Sequence, residues 1–151
     1  MENDSIEFNA SFFGERHSHI WGHELWLVNN AKYCSKLLVV NKGFASSFHY
    51  HERKHETFIV VEGVIELTLV LPITNVVTLA PLHAGERFTI DEELIHSFMS
   101  REERGIIMEV STTDDDDNVK LLPATEIDSI ETQRQHADKV LRYVRTTRDI
   151  S

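Results

Sequence analysis

The stretch GFASSFHYHERKHETFIVVEG, Gly43–Gly63, decides how the rest of this chain is read. His49 and His51 are separated by one residue, and in a β-strand side chains at i and i+2 project to the same side. Both imidazoles can therefore reach one ion. Glu52-Arg53-Lys54 is a polar break suited to a turn, after which Glu56 opens a second strand and shares a face with Phe58 and Val60. If that face is interior, Glu56 goes inside with it, and a buried carboxylate requires a pairing or a bound cation.

A further donor stands about forty residues on, in GERFTIDEELIHSFMS, where His96 begins a strand after a polar turn. Three imidazoles and a carboxylate suit zinc, manganese, iron or nickel. Thiolate ligation is excluded because Cys34 is the chain's one cysteine, which also fits a reducing cytoplasm. A lone histidine in a half-buried strand is more often packed or hydrogen-bonded than ligating. That reading comes first for His17, His19, His23, His55, His83 and His136.

Around this segment run short apolar stretches rich in Val, Ile, Leu, Phe and Thr: residues 24–28, 36–41, 57–62, 64–71, 76–80, 87–91, 96–100 and 105–111. Their spacing is that of a sandwich or small barrel, and no helical pattern of comparable strength lies between them. The fold class expected is all-β. From Ser129 to Arg148 the period changes: Ile130, Ala137, Val140, Leu141 and Val144 form one apolar stripe, Ser129 is placed as an N-cap, and arginines sit near the far end. One C-terminal α-helix packed outside the β-unit is expected. TTDDDDN, residues 112–118, reads as a solvated charged loop, because the ligand spacing and central glycine of a calcium loop are missing.

The chain has 151 residues, 41% of them apolar, and a formal charge of −10 with a pI near 5.3. One globular domain is the expectation. Its field repels phosphate backbones and anionic lipid, which argues against nucleic acid or membrane partners. The first residues, acidic and broken by polar side chains, contain neither a basic leader nor a long apolar run, so the expected location is the cytoplasm.

Gly43, His49, His51, Glu56 and Gly63 together resemble the first motif of the cupins, matching it at every fixed position. The second motif is resembled less closely: Gly85 and His96 fall in register, while Asp91, Glu93 and Ser100 stand where proline, glycine and asparagine are usual. This likeness covers roughly residues 20–112. It implies a double-stranded β-barrel, or jelly roll, holding one divalent metal on His49, His51, Glu56 and His96. The organisation expected is an arm over 1–20, a barrel over 21–123 and the helical segment over 124–151. A second likeness, carried by WGHELWLVNNAKYCSKLLVVNKG, the His-rich segment and MEVSTTDDDDNVKLLP, is to small cupins related to D-lyxose ketol-isomerase and the isomerase portion of mannose-6-phosphate isomerases. It implies aldose–ketose isomerisation of a sugar or sugar phosphate.

That chemistry needs a base, and Glu109 sits in an otherwise apolar strand, GIIMEVS, where desolvation would raise its pKa. The residues alone leave open an edge strand with Glu109 in solvent. Lys36 shares a face with Leu38 and Val40 and could stabilise a developing enediolate, or could snorkel at a strand end. Trp21 and Trp26 could wall a sugar site or simply pack. An iron dioxygenase or a non-catalytic sugar-binding cupin would use the same ligands. The two-sided apolar run KLLVV points to a homodimer.

Overall fold

The computed structural model describes residues 15–150. Residues 1–14, the larger part of the expected arm, lie outside it. The strands are β1 (Glu15–His19), β2 (Gly22–Asn29), β3 (Cys34–Asn41), β4 (Phe44–Ala45), β5 (Phe48–His51), β6 (Glu56–Glu62), β7 (Val64–Leu71), β8 (Val76–His83), β9 (Arg87–Ile90), β10 (Ile95–Ser100), β11 (Arg104–Ser111), β12 (Asn118–Leu122) and β13 (Thr125–Glu126); the helix α1 spans Ile130–Thr147.

They form two antiparallel sheets. One has the order β1-β2-β3-β11-β6-β9. In the other, β10 pairs with β7 on one side and with β4 and β5 on the opposite side, β8 extends β7, and β12 and β13 flank β5 and β4. Alternation supplies the core. Leu38, Val40, Phe58, Val60 and Ile107 of the first sheet meet Ile65, Leu67, Leu69 and Phe98 of the second, all nearly inaccessible. This is the two-sheet packing expected from the spacing of the apolar runs, in the jelly-roll form that the cupin resemblance implies.

Every residue of β10 is buried because both of its faces are covered. His96 and Phe98 point into the sandwich, whereas Ile95 packs with Phe48 and Val70 against Ala137, Val140, Leu141 and Val144 of α1. The helix starts as expected: the Ser129 hydroxyl accepts from the Thr132 N–H at 3.1 Å, satisfying one of the otherwise unbonded first-turn amides. Gly63 turns β6 into β7 at φ 79°, and a Cβ there would lie 2.7 Å from the Arg104 carbonyl oxygen. Only glycine fits that corner.

Candidate metal centre

β5 delivers His49 and His51 to the sandwich interior, and β10 delivers His96 opposite His49. One nitrogen from each of the three lies within 4.8 Å of the others. Their tautomers follow from their neighbours. His49 Nδ1 is 3.0 Å from the Ser47 carbonyl oxygen and His96 Nδ1 is 2.9 Å from that of Leu94. A carbonyl can only accept, so each Nδ1 carries the proton. His51 Nδ1 likewise donates to Asp117 Oδ1 at 3.0 Å. In all three rings Nε2 is left as a bare lone pair. Burial lowers the pKa of His51, and that of His49 well below the ordinary imidazole value with help from its histidine neighbours. Both are held neutral, as metal ligation requires.

Glu56, 1% exposed, completes the set from β6. Its Oε1 lies 3.1 Å from His96 Nε2 and 3.8 Å from His51 Nε2. Among the described residues neither Glu56 Oε1 nor His96 Nε2 has a hydrogen-bond partner, although both are buried. Two orphaned acceptors face to face are unfavourable unless something positive lies between them. Burial pushes the Glu56 carboxyl up, but the positive charge around it, the Lys54 ammonium included, outweighs this and holds it below the usual carboxylate range. The donor set therefore fits a divalent transition ion.

A cavity of about 540 Å³ adjoins these residues, with Glu109, Lys36, Trp21 and Trp26 on its wall. β11 lies between β3 and β6, so the edge-strand alternative for Glu109 is wrong; the residue is 4% exposed. Burial, reinforced by the negative charge of Glu56, pushes its pKa up to about 7. Lys36 does not snorkel: it is 3% exposed, ion-paired to Asp114, with Nζ 3.9 Å from Glu24 and 3.8 Å above the Trp26 ring. Trp21 belongs to the core, edge-on to Phe98 at 5.0 Å, while Trp26 donates to Glu24 at 3.3 Å. Glu24 also contacts His19 Nε2 at 3.1 Å.

Two expectations fail. Lys54, in the polar break between β5 and β6, does not face solvent: it is 3% exposed, and its Nζ lies 2.7 Å from Glu109, 3.4 Å from Glu56 and 3.4 Å from Asp114. Its parity with Glu56, two residues on, was the signal that places it inside. The aspartate run is not a solvated loop throughout. Asp117 is buried, its Oδ2 accepting the backbone N–H of Arg53 at 2.6 Å and of Lys54 at 3.0 Å, and Asp114 bridges both interior lysines. These aspartates satisfy cations and a histidine that would otherwise be buried unpaired.

A family model described as Cupin matches residues 18–135. The chain belongs to the cupin family. Among solved structures, this cupin is similar to oxalate decarboxylase from Bacillus subtilis, with TM-score 0.64 and 15% identity over 76% of this chain and 33% of that one. It is similar to KdgF from Halomonas sp. at TM-score 0.60 and 18% identity, over 72% of this chain and 98% of that one. The capsular polysaccharide assembling protein CapF from Staphylococcus aureus matches at TM-score 0.65 and 13% identity, over 75% of this chain and 32% of that one. This cupin thus spans about a third of the oxalate decarboxylase and CapF chains. No curated protein sequence matches it. At these identities the likeness is one of fold.

Proposed function

We propose that this cupin is a metal-dependent aldose–ketose isomerase of the D-lyxose isomerase type. The observation that carries the reading is Glu109, a buried carboxylate on the cavity wall, separated from the ligand Glu56 by the single ammonium of Lys54. A divalent ion held by His49, His51, Glu56 and His96, whether manganese, zinc, iron or nickel, would polarise the adjacent carbonyl and hydroxyl oxygens of an open-chain sugar. Glu109 takes the proton from the hydroxyl-bearing carbon and returns it to the former carbonyl carbon, while the hydroxyl proton passes from one oxygen to the other, so that the product is an isomer of the substrate. A pKa near 7 suits a base that must both accept and release that proton. Lys54 donates to Glu109 and fixes its direction, and Lys36 faces the cavity where negative charge develops on oxygen.

The proposed partner is a small sugar, and an unphosphorylated one is favoured over a sugar phosphate. Six carboxylates line the cavity against three lysines, and both interior lysines, Lys36 and Lys54, already face carboxylates. Among the described residues a phosphate finds no uncommitted interior cation. We place the protein in the cytoplasm on the strength of its one, reduced cysteine; among the described residues no helix is long and apolar enough to cross a membrane. A homodimer through the outer face of the first sheet is proposed from Val61 and Val110, 50% and 46% exposed, beside Leu37, Val39, Ile106 and Met108. Sedimentation as a monomer at micromolar concentration would remove that proposal.

The test of the reaction is deuterium uptake at C2 when metal-loaded protein meets a panel of aldoses in heavy water. Uptake is expected, with kcat rising with pH through about 7 as Glu109 ionises. In Glu109→Gln both the uptake and that limb should disappear. Uptake unchanged in the variant sinks the base assignment, and oxygen consumption with Fe(II) in place of uptake favours the dioxygenase.

A further inference from the structure

The apolar stripe of α1 has one polar member. Gln133 is fully buried, as are Ser97 and Thr68 beneath it, and its Nε2 donates to Ser97 Oγ at 3.0 Å and lies 3.3 Å from Thr68 Oγ1. A glutamine inside a helix–sheet interface is unfavourable unless partnered, and here Nε2 is satisfied while Oε1 has no partner among the described residues. Those partners lead towards the metal centre. Ser97 Oγ donates to the Ser46 carbonyl at 2.8 Å, and the Ser46 hydroxyl accepts the Phe98 N–H at 2.9 Å. The same hydroxyl donates to the Ser47 carbonyl at 3.3 Å. That carbonyl accepts from His49 Nδ1 at 3.0 Å, with the Ser47 hydroxyl 3.1 Å from the same nitrogen.

Ser46 and Ser47 are also where the strand pairing is interrupted between β4 and β5. The interruption frees the Ser47 carbonyl from the ladder so that it can take the imidazole proton. β10 holds one side of this break through the backbone of Phe98, which accepts the Ser46 N–H at 2.9 Å, and through the Ser97 hydroxyl, which the helix in turn holds. Ser97 follows His96 directly and points the opposite way, so one residue pair on β10 serves the two ends of the arrangement.

From this chain of contacts we infer that Gln133 is a positioning residue for the metal centre: acting through Ser97, Ser46 and the Ser47 carbonyl, the C-terminal helix fixes the tautomer and direction of His49. The inference rests on His49 being a ligand and not on the reaction. It assigns α1 a part in the site beyond covering the outside of the sheet.

The experiment titrates the full chain with Zn(II) alone against a chromophoric chelator. Gln133→Leu keeps the volume and removes the amide; Ser97→Ala breaks the same path with a smaller change. Val144→Ala loosens the same helix by packing only. Loss of an outer partner of a ligating histidine lowers affinity by about 10-fold or more, so that drop is expected for Gln133→Leu and for Ser97→Ala, with the double variant little worse than either. Val144→Ala should bind as the parent does. In the metal-free protein, the His49 ring-nitrogen resonances of Gln133→Leu should move towards mixed tautomers. Unchanged affinity in both path variants, or an equal fall in Val144→Ala, overturns the positioning role. If even the parent takes up no Zn(II), the metal centre itself fails, and a retained tautomer shift in Gln133→Leu would still support the path to His49, whereas its absence would end that too.

Discussion

The segments His49–Glu56 and Asp114–Asp117 are both dense in charge, both close on the same cavity, and differ in how they reach it. The first arrives by strand alternation. His49, His51, Lys54 and Glu56 hold a common face around a short break, and the structure buries the last three with His49 half-buried beside them. The second is a loop in which direction changes residue by residue. Asp114 and Asp117 turn in, Asp115 turns out to Arg53, and Asp116 adopts φ 58° between them. A periodic segment states which side chains are buried; a run of identical residues does not.

The largest effect that separates the two is expected from Lys54→Met. The ammonium faces Glu56, Glu109 and Asp114, and removing it leaves buried carboxylates uncompensated. Breaking a buried charge set in this way costs about 3–5 kcal/mol. The pH dependence has a definite sign. Glu109 already has its folded pKa raised to about 7, so its folded form holds a proton that the unfolded chain releases near the ordinary carboxylate range. That contribution is present at low pH and lost as pH rises through about 7. Without Lys54 the Glu109 carboxyl rises further, and Glu56 and Asp114 lose a charge that holds them low, so the defect should be smallest below about pH 5 and largest above neutrality. Urea denaturation of the metal-free variant at both ends of that range checks it; a defect that grows towards acid would show that Lys54 is not the compensating charge.

The same contrast explains what the sequence revealed. The eight apolar runs, the i, i+2 histidines and the helix cap at Ser129 are local patterns, and each reappears in β2 to β11 and α1. Glu109 and Lys36 were placed inside only if their strands were interior, and neighbours cannot be read from one strand: the pairing of β11 with β3 and β6 joins residues far apart in the chain. β4, β5, β12 and β13 are short and carry no apolar run of their own; their ladders depend on β10. The inward aspartates were hidden because their partners, Lys36, Lys54 and His51, come from elsewhere in the sequence.

Asp117→Asn sharpens the comparison at the next level. An asparagine keeps the shape, but at Oδ1 the position loses the charge that fixes the His51 proton, and at Oδ2 it sets an amide against the Arg53 and Lys54 N–H groups unless it flips. Zn(II) affinity should fall about 10- to 100-fold, as for other carboxylate partners of ligating histidines. Stability should drop by about 1–3 kcal/mol from the unsatisfied backbone donor. An affinity equal to the parent's would return this aspartate to the status of a loop residue.

The smallest effect belongs to the neighbour that turns out. Asp115 accepts from Arg53 Nε at 3.1 Å, with side chains 48% and 60% exposed, so water competes at every point of the contact. Exposed ion pairs of this sort contribute little and are screened by salt. Asp115→Asn should therefore leave the unfolding midpoint and Zn(II) affinity where they are at 150 mM salt, two positions from a substitution that changes both. Were Asp115→Asn to weaken Zn(II) as Asp117→Asn does, the run would be acting through its summed negative field, and the division into inward and outward aspartates would carry no functional meaning.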